Sequence, residues 1–148
     1  MSIIGVGTDI VEIARLQASV DRSDSMAQRI LTPKEYEDYL ALNELARIRP
    51  RQQVEVGSDN SNVEISAQAR FLAKRFAAKE AAVKAIGNGI GNGVSWQQIE
   101  VSHHQTGQPY LIVSGHLQSL FDDKGVVNSH ISISDEKHYA VATVILES

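Results

Sequence analysis

The sequence predicts an α+β fold. Three stretches predict it: an opening run of β-formers, a long Ala-, Lys- and Glu-rich segment near the middle, and an alternating apolar hairpin at the end. The 148 residues fit a single domain, 1–148, since one core is usually built from roughly 100–200 residues. With no Cys, the chain has neither disulfides nor thiolate metal sites, and this suits a reducing compartment. Its apolar runs fall far short of the ~20 residues that span a bilayer. The Met1-Ser2-Ile3-Ile4-Gly5 start lacks the basic region of a secretion signal. The expected location is the cytoplasm, with no membrane contact. A net charge of −4 argues against nucleic acid, whose phosphates select clustered positive charge.

Ile3 to Ile13 reads as a strand, interrupted by Gly5 and Gly7. A helical stretch follows from about Ala14 to Ile30. Thr32-Pro33-Lys34-Glu35 then has the form of a capping box, with Pro at the first helical position. That helix should run to about Ile48 with Tyr36, Tyr39, Leu40 and Leu42 as apolar residues. Between Arg49 and Gln68 the periodicity dissolves into turn chemistry, Gly57-Ser58-Asp59-Asn60-Ser61-Asn62. The expectation is a flexible surface insertion near 49–68, or a short hairpin of 53–56 with 63–65. Arg70 to Ile86 is the strongest helix, with Gly87 placed as its C-cap. A glycine-rich loop, Asn88 to Gly93, leads to strands at Ile99–Val101 and Tyr110–Val113. A short helix from Gly115 to Asp122 precedes the final hairpin. There His130 to Ser134 alternates, Asp135-Glu136-Lys137 turns, and Tyr139 to Leu146 returns.

Two features break these patterns. On the central helix Leu72, Phe76, Val83 and Ile86 fall within an arc of about 80°. Lys79 stands in the middle of that arc and Glu80 at its edge. Charged side chains are almost never buried without a partner or ligand. Glu80 and Lys84, at i and i+4, either form a solvated pair or belong to a site. Asp9, in Gly7-Thr8-Asp9-Ile10-Val11-Glu12-Ile13, is the second anomaly, because Asp is depleted from strands. It is either a turn or cap residue or a carboxylate with a cation to hold. Magnesium typically takes one or two protein carboxylates and fills its shell with water and substrate phosphates. Asp9 and Glu80, with Lys84 and Lys79 nearby, would suit a pyrophosphate, but spacing alone does not bring them together.

The motif around Asp9 resembles the opening motif of the holo-[acyl-carrier-protein] synthases. Arg75-Phe76-Ala77-Ala78-Lys79-Glu80-Ala81, continued by Lys84-Ala85, resembles their second motif. Ile131 to Ser134 and Tyr139 to Ala142 resemble their closing hairpin, so the likeness spans the chain except about Arg49 to Gln68. It implies a 4′-phosphopantetheinyl transferase fold, an antiparallel sheet packed around a long central helix. It further implies transfer of 4′-phosphopantetheine from coenzyme A to a serine of apo acyl carrier protein for fatty acid biosynthesis, with release of 3′,5′-ADP. By the same resemblance Asp9 and Glu80 are magnesium ligands and, with Lys84, catalytic. Lys84 lies at the coenzyme A pyrophosphate, Arg75 helps hold the nucleotide phosphates, and the assembly is a homotrimer with sites at its interfaces. At Asp135 many members of the family carry a His that touches the nucleotide. Glu12 is a candidate proton acceptor by its nearness to Asp9 in sequence.

Arg15, Arg22 and Arg29 recur every seven residues and so line one side of a continuous helix. In an acidic chain this stripe would either be an ordinary solvated face or steer in an acidic carrier protein. Ser23-Asp24-Ser25 is where such a helix would break. His103, His104 and His116 read as surface or structural residues, because adjacent positions on a strand face opposite ways. Asn88 to Gly93 is followed by no Lys-Ser/Thr and so is no P-loop.

Overall fold

The computed structural model describes residues 1–46, 48, 52–56 and 61–148. The elements are β1 (Ile3–Glu12), α1 (Ile13–Arg22), α2 (Ser25–Ile30), α3 (Pro33–Ala46), β2 (Gln52–Val56), β3 (Ser61–Ile65), α4 (Ala67–Ile86), β4 (Ile99–His103), β5 (Pro109–Val113), α5 (Gly115–Asp123), β6 (Asn128–Asp135) and β7 (Tyr139–Glu147). An antiparallel sheet of order β1-β7-β6 lays one face on α4, and β2-β3 and β4-β5 form separate hairpins. This is the α+β architecture expected, with the sheet wrapped on the long helix.

Alternation decides which face of the sheet meets α4. Ala140, Ala142, Val144 and Leu146 of β7 are buried, while Val6 and Ile10 of β1 stand exposed on the far face. Asp9 lies opposite Ala142, on the helix-facing row. α4 is buried on nearly every side, because seven buried alanines, among them Ala73, Ala77 and Ala81, accept close neighbours where larger residues would not. The arc of Leu72, Val83 and Ile86 is therefore one buried face among several. Gly87 closes the helix in the left-handed conformation, φ 76°, and the Asn88 N–H reaches the Val83 carbonyl at 3.0 Å.

Several boundaries differ from the sequence reading. β1 ends at Glu12, and the long helix expected to Ile30 is two helices, with Ser23 in extended backbone between them. The Ser23 and Ser25 hydroxyls bond each other at 2.8 Å, an instance of short polar side chains competing with the helix. α4 starts at Ala67, earlier than expected, since the Ser66 hydroxyl caps it by accepting the Ala69 N–H at 3.1 Å. The hairpin alternative for the insertion is the one realised: Val54 pairs with Val63, and Val54 and Ile65 are buried. Gly57 to Asn60 lie outside the described residues.

One buried polar node fixes α4 in rotation. Thr32 and Glu35 form the expected capping box, with the Thr32 N–H on Glu35 Oε1 at 2.9 Å and the Glu35 N–H on Thr32 Oγ1 at 3.3 Å. Glu35 then does more than cap. Its Oε1 accepts the fully buried Lys79 ammonium at 2.5 Å, and its Oε2 accepts the Val101 N–H at 3.0 Å. Lys79 also donates to the Ile30 carbonyl at 2.7 Å. Burial pulls the Lys79 ammonium below its ordinary range and Glu35 opposes this. The head of Lys79 has thus found a carboxylate, as the centre of an apolar arc requires, and joins α2, α3, α4 and β4.

Two stability effects should be measurable by denaturant unfolding. A Cβ at Gly7 would collide with the Ala81 carbonyl oxygen, so Gly7→Ala should cost about 3 kcal/mol. Lys79→Met strands the Glu35 carboxylate and should cost about 3–5 kcal/mol. Adding Glu35→Gln should recover part of that loss. A double variant no more stable than Lys79→Met would show that the pair is not the reason.

Candidate active site

β1 and α4 place the candidate residues. Gly5 lies against Ala85 and Gly7 against Ala81, so the strand runs opposite to the helix. Two strand residues advance about 6.6 Å and a helical turn 5.4 Å, which brings Asp9 level with the turn that carries Glu80. Helical side chains lean toward the N-terminus. Lys84, one turn further on, therefore reaches back across the seam. Its ammonium donates to Asp9 Oδ1 at 2.8 Å and to the Thr8 carbonyl at 3.1 Å. Of the two readings of Glu80 and Lys84, the solvated pair is not formed: Lys84 bonds the strand carboxylate instead. Asp9 is only 15% exposed at its side chain, so it is a partnered, largely sheltered carboxylate and not a turn residue.

Glu80 has a different partner. Its Oε1 accepts the indole N–H of Trp96 at 3.0 Å, from the 3₁₀ turn Trp96–Gln98 that precedes β4. No hydrogen bond joins Asp9 to Glu80. Among the described residues Asp9 Oδ2 and Glu80 Oε2 carry no hydrogen-bond partner. The donor set fits a hard divalent cation: two oxygens from rigid elements, beside a lysine that is 51% exposed and able to turn to an anion. Among the described residues no three His, Asp or Glu side chains converge on a point. A metal at Asp9 and Glu80 would draw the rest of its shell from water and substrate oxygens, as magnesium does.

The arginines border this cluster. Arg22 and Arg29 line a cleft of about 370 Å³ with Met26 and Trp96, while Arg15 and Arg22 line a neighbouring one of about 340 Å³ with Val11 and Phe76. The clefts share Arg22 and Met26. The helix break after Arg22 does not scatter the stripe, because α2 returns Arg29 to the same groove, with its guanidinium 5.3 Å from the centre of the Trp96 ring. The groove thus ends on the residue that holds Glu80.

Arg75 is elsewhere. It lies about 180° around α4 from Lys84, its guanidinium 3.9 Å from the Phe71 ring centre and its Nε buried without a partner. Burial lowers it from its ordinary value, against the pull of Glu35 and Asp38. With Lys34, Asp38, Glu100 and His103 it borders a cleft of about 180 Å³. Burial, and then Arg75 and Lys74, hold His103 below the usual imidazole range. One chain therefore does not unite Arg75 with the Asp9–Lys84 cluster. Asp135 accepts Arg70 at 3.0 Å and lies 3.7 Å from Lys74, so it clamps the tip of the closing hairpin to α4. His104 stacks on Tyr110 at 4.4 Å, and His116 packs beside Gly93. Glu12 faces away from α4, on the row opposite Asp9.

Sequence reasoning missed Trp96 and the reach of Glu35. The capping box announced Glu35, but nothing local announces Lys79 as its partner. The only tryptophan of the chain, following the glycine-rich loop, was the one available sign of Trp96.

The fold agrees with that of known proteins. The family model for the 4′-phosphopantetheinyl transferase superfamily, ACPS, matches residues 5–144. A holo-[acyl-carrier-protein] synthase of Alteromonas mediterranea is 47% identical over 148 residues, covering 100% of this chain and 99% of the relative. One from Vibrio vulnificus is 44% identical over 149 residues, covering 100% of both. Among solved structures, the synthase of Neisseria meningitidis superposes with a TM-score of 0.77 at 31% identity, covering 99% of this chain and 100% of the other. That of Bacillus anthracis, in complex with CoA (3′,5′-ADP), gives a TM-score of 0.69 at 36% identity, covering 99% and 97%. The chain belongs to the 4′-phosphopantetheinyl transferase superfamily, within its holo-[acyl-carrier-protein] synthases.

Proposed function

We propose that this chain transfers 4′-phosphopantetheine from coenzyme A to a serine of apo acyl carrier protein, as a magnesium-dependent enzyme of fatty acid biosynthesis. The observation that carries the reading is the Asp9–Lys84 contact abreast of Glu80, on the two motifs that define the family likeness. The names of the relatives, and the coenzyme A bound in the Bacillus anthracis neighbour, support both substrates.

The reaction is a phosphoryl transfer. The carrier serine oxygen attacks the β-phosphorus of coenzyme A, the bond to the bridging oxygen breaks, and 3′,5′-ADP leaves with the electron pair. The serine proton passes to solvent. Such reactions need positioning and charge neutralisation more than covalent help. Magnesium held by Asp9 and Glu80 would neutralise charge on the pyrophosphate. Lys84, half exposed on Asp9, is placed to turn its ammonium to the leaving phosphate. Asp9 keeps that ammonium aimed until substrate arrives.

Arg15, Arg22 and Arg29 are the carrier-protein surface in this reading, because their groove leads to Trp96 and Glu80. A homotrimer accounts for two further features. The outer sheet face exposes Val6 and Ile10, which pair with Ile145 and Val141 of β7, and a second copy would cover them. Arg75, on the far side of α4, would serve the nucleotide phosphates of a site completed by its neighbour. Among the described residues no helix is long and apolar enough to cross a membrane.

Incubation with coenzyme A, magnesium and apo carrier protein, followed by mass spectrometry of the carrier, tests the activity. A phosphopantetheine adduct is expected on the serine. Free phosphopantetheine without an adduct would indicate a hydrolase, and no turnover a binding module. Chelation of magnesium should stop transfer, as should Asp9→Ala or Glu80→Ala, the double variant being little worse than either single one. Lys84→Ala should lower kcat about 10²-fold, with only partial rescue by Lys84→Arg. Charge reversal of Arg15 and Arg22 should slow carrier association without changing coenzyme A binding. A raised Kd for coenzyme A would move the stripe to the nucleotide site.

A further inference from the structure

From the contacts of Trp96 we infer that it is a positioning residue for Glu80, whose indole N–H holds one carboxylate oxygen so that the other faces the cation. The inference rests on Asp9 and Glu80 being the metal ligands. Glu80 is held at Oε1 by Trp96 Nε1 at 3.0 Å, and among the described residues no other hydrogen bond or ion pair reaches its carboxylate. The indole is itself fixed. Phe76, one turn before Glu80 on α4, packs against it at 6.2 Å between ring centres, and the Arg29 guanidinium lies 5.3 Å from the ring centre. Trp96 opens a 3₁₀ turn, and the next residue, Gln97, donates to the carbonyls of Gln28 at 2.8 Å and Leu31 at 3.3 Å, which anchors the turn to α2.

The physical consequence concerns entropy. A free glutamate side chain samples many rotamers, and fixing it on binding costs conformational entropy. Here the indole has already fixed it, so a cation meets a carboxylate that is already aimed. Asp9 has a shorter side chain with fewer rotamers to lose, and Lys84 orients it before substrate binds. Trp96 also lines the arginine groove, so the group that aims Glu80 lies at the edge of the surface read as the carrier site.

The test measures Mn²⁺ affinity directly, from the free-ion EPR signal, with coenzyme A present and without turnover. Trp96→Phe keeps an aromatic ring, smaller than the indole, between Phe76 and Arg29 and removes the donor. Binding should weaken by up to about 10–30-fold, the size of the freed rotamer entropy, while Asp9→Asn should abolish it. Unchanged or tighter binding in Trp96→Phe, with Asp9→Asn inactive in binding, overturns the role of Trp96 and leaves the metal site standing. Wild-type binding in Asp9→Asn removes the metal site and this inference with it. Should Trp96→Phe fail to fold, the wild-type protein decides. As the only tryptophan of the chain, Trp96 should be quenched by Mn²⁺ with the affinity that EPR gives. Emission indifferent to saturating Mn²⁺ overturns the inference.

Discussion

Gly5 and Gly7 let β1 lie directly on the backbone of α4, where any Cβ would strike the carbonyl oxygen of Ala85 or Ala81. The contact demands small residues on both sides, and the helix supplies alanine at each crossing. Its consequence is chemical. A lysine on the helix surface can reach a carboxylate on the strand only because the two backbones are this close. A strand held off the helix by ordinary side chains would leave Asp9 beyond the reach of Lys84.

Closeness alone would not aim the helix. Lys79 and Lys84 differ by five positions, about 140° around α4, and meet opposite fates. Lys79 is sealed among α2, α3 and β4 on Glu35 and the Ile30 carbonyl, whereas Lys84 remains half exposed on Asp9. A buried ion pair contributes little net stability against an apolar substitute, but breaking it is costly. It therefore acts as a rotational stop: any turn of α4 about its axis that strands Lys79 is disfavoured. With Lys79 inward, the next residue, Glu80, must face the groove edge, where Trp96 meets it. The motif thus joins a structural lysine, an oriented glutamate and a half-exposed lysine on one rigid element.

Much of this was legible in the sequence, for reasons that can be named. Lys79 in an apolar arc offered either a snorkelling lysine or a buried, partnered one, and Asp9 in a run of β-formers either a turn residue or a partnered carboxylate; in each case the partnered one is found. Thr32 to Glu35 announced the cap. The closing hairpin followed from simple alternation. What escaped was set by tertiary distance. Lys84 chose Asp9, 75 residues away, over Glu80 in the preceding turn, and no i+4 rule carries that information. The helix break at Ser23 was signalled, yet the return of Arg29 to the groove depends on how α2 packs on the 3₁₀ turn. The breadth of burial around α4 was hidden because alanine gives no amphipathic contrast. The glycine spacing of β1 suggested interruption of a strand, when its role is the close crossing of α4.

The account centres on one seam that holds a cation between Asp9 and Glu80 while Lys84 turns to the substrate. Crystals grown with coenzyme A and Mn²⁺, with anomalous diffraction recorded at the manganese edge, test it most directly. The account predicts a peak within about 2.2 Å of an oxygen from each carboxylate, with the Lys84 ammonium moved off Asp9 onto a pyrophosphate oxygen. A peak at any other site, or Lys84 still bonded to Asp9 with coenzyme A bound, would contradict it.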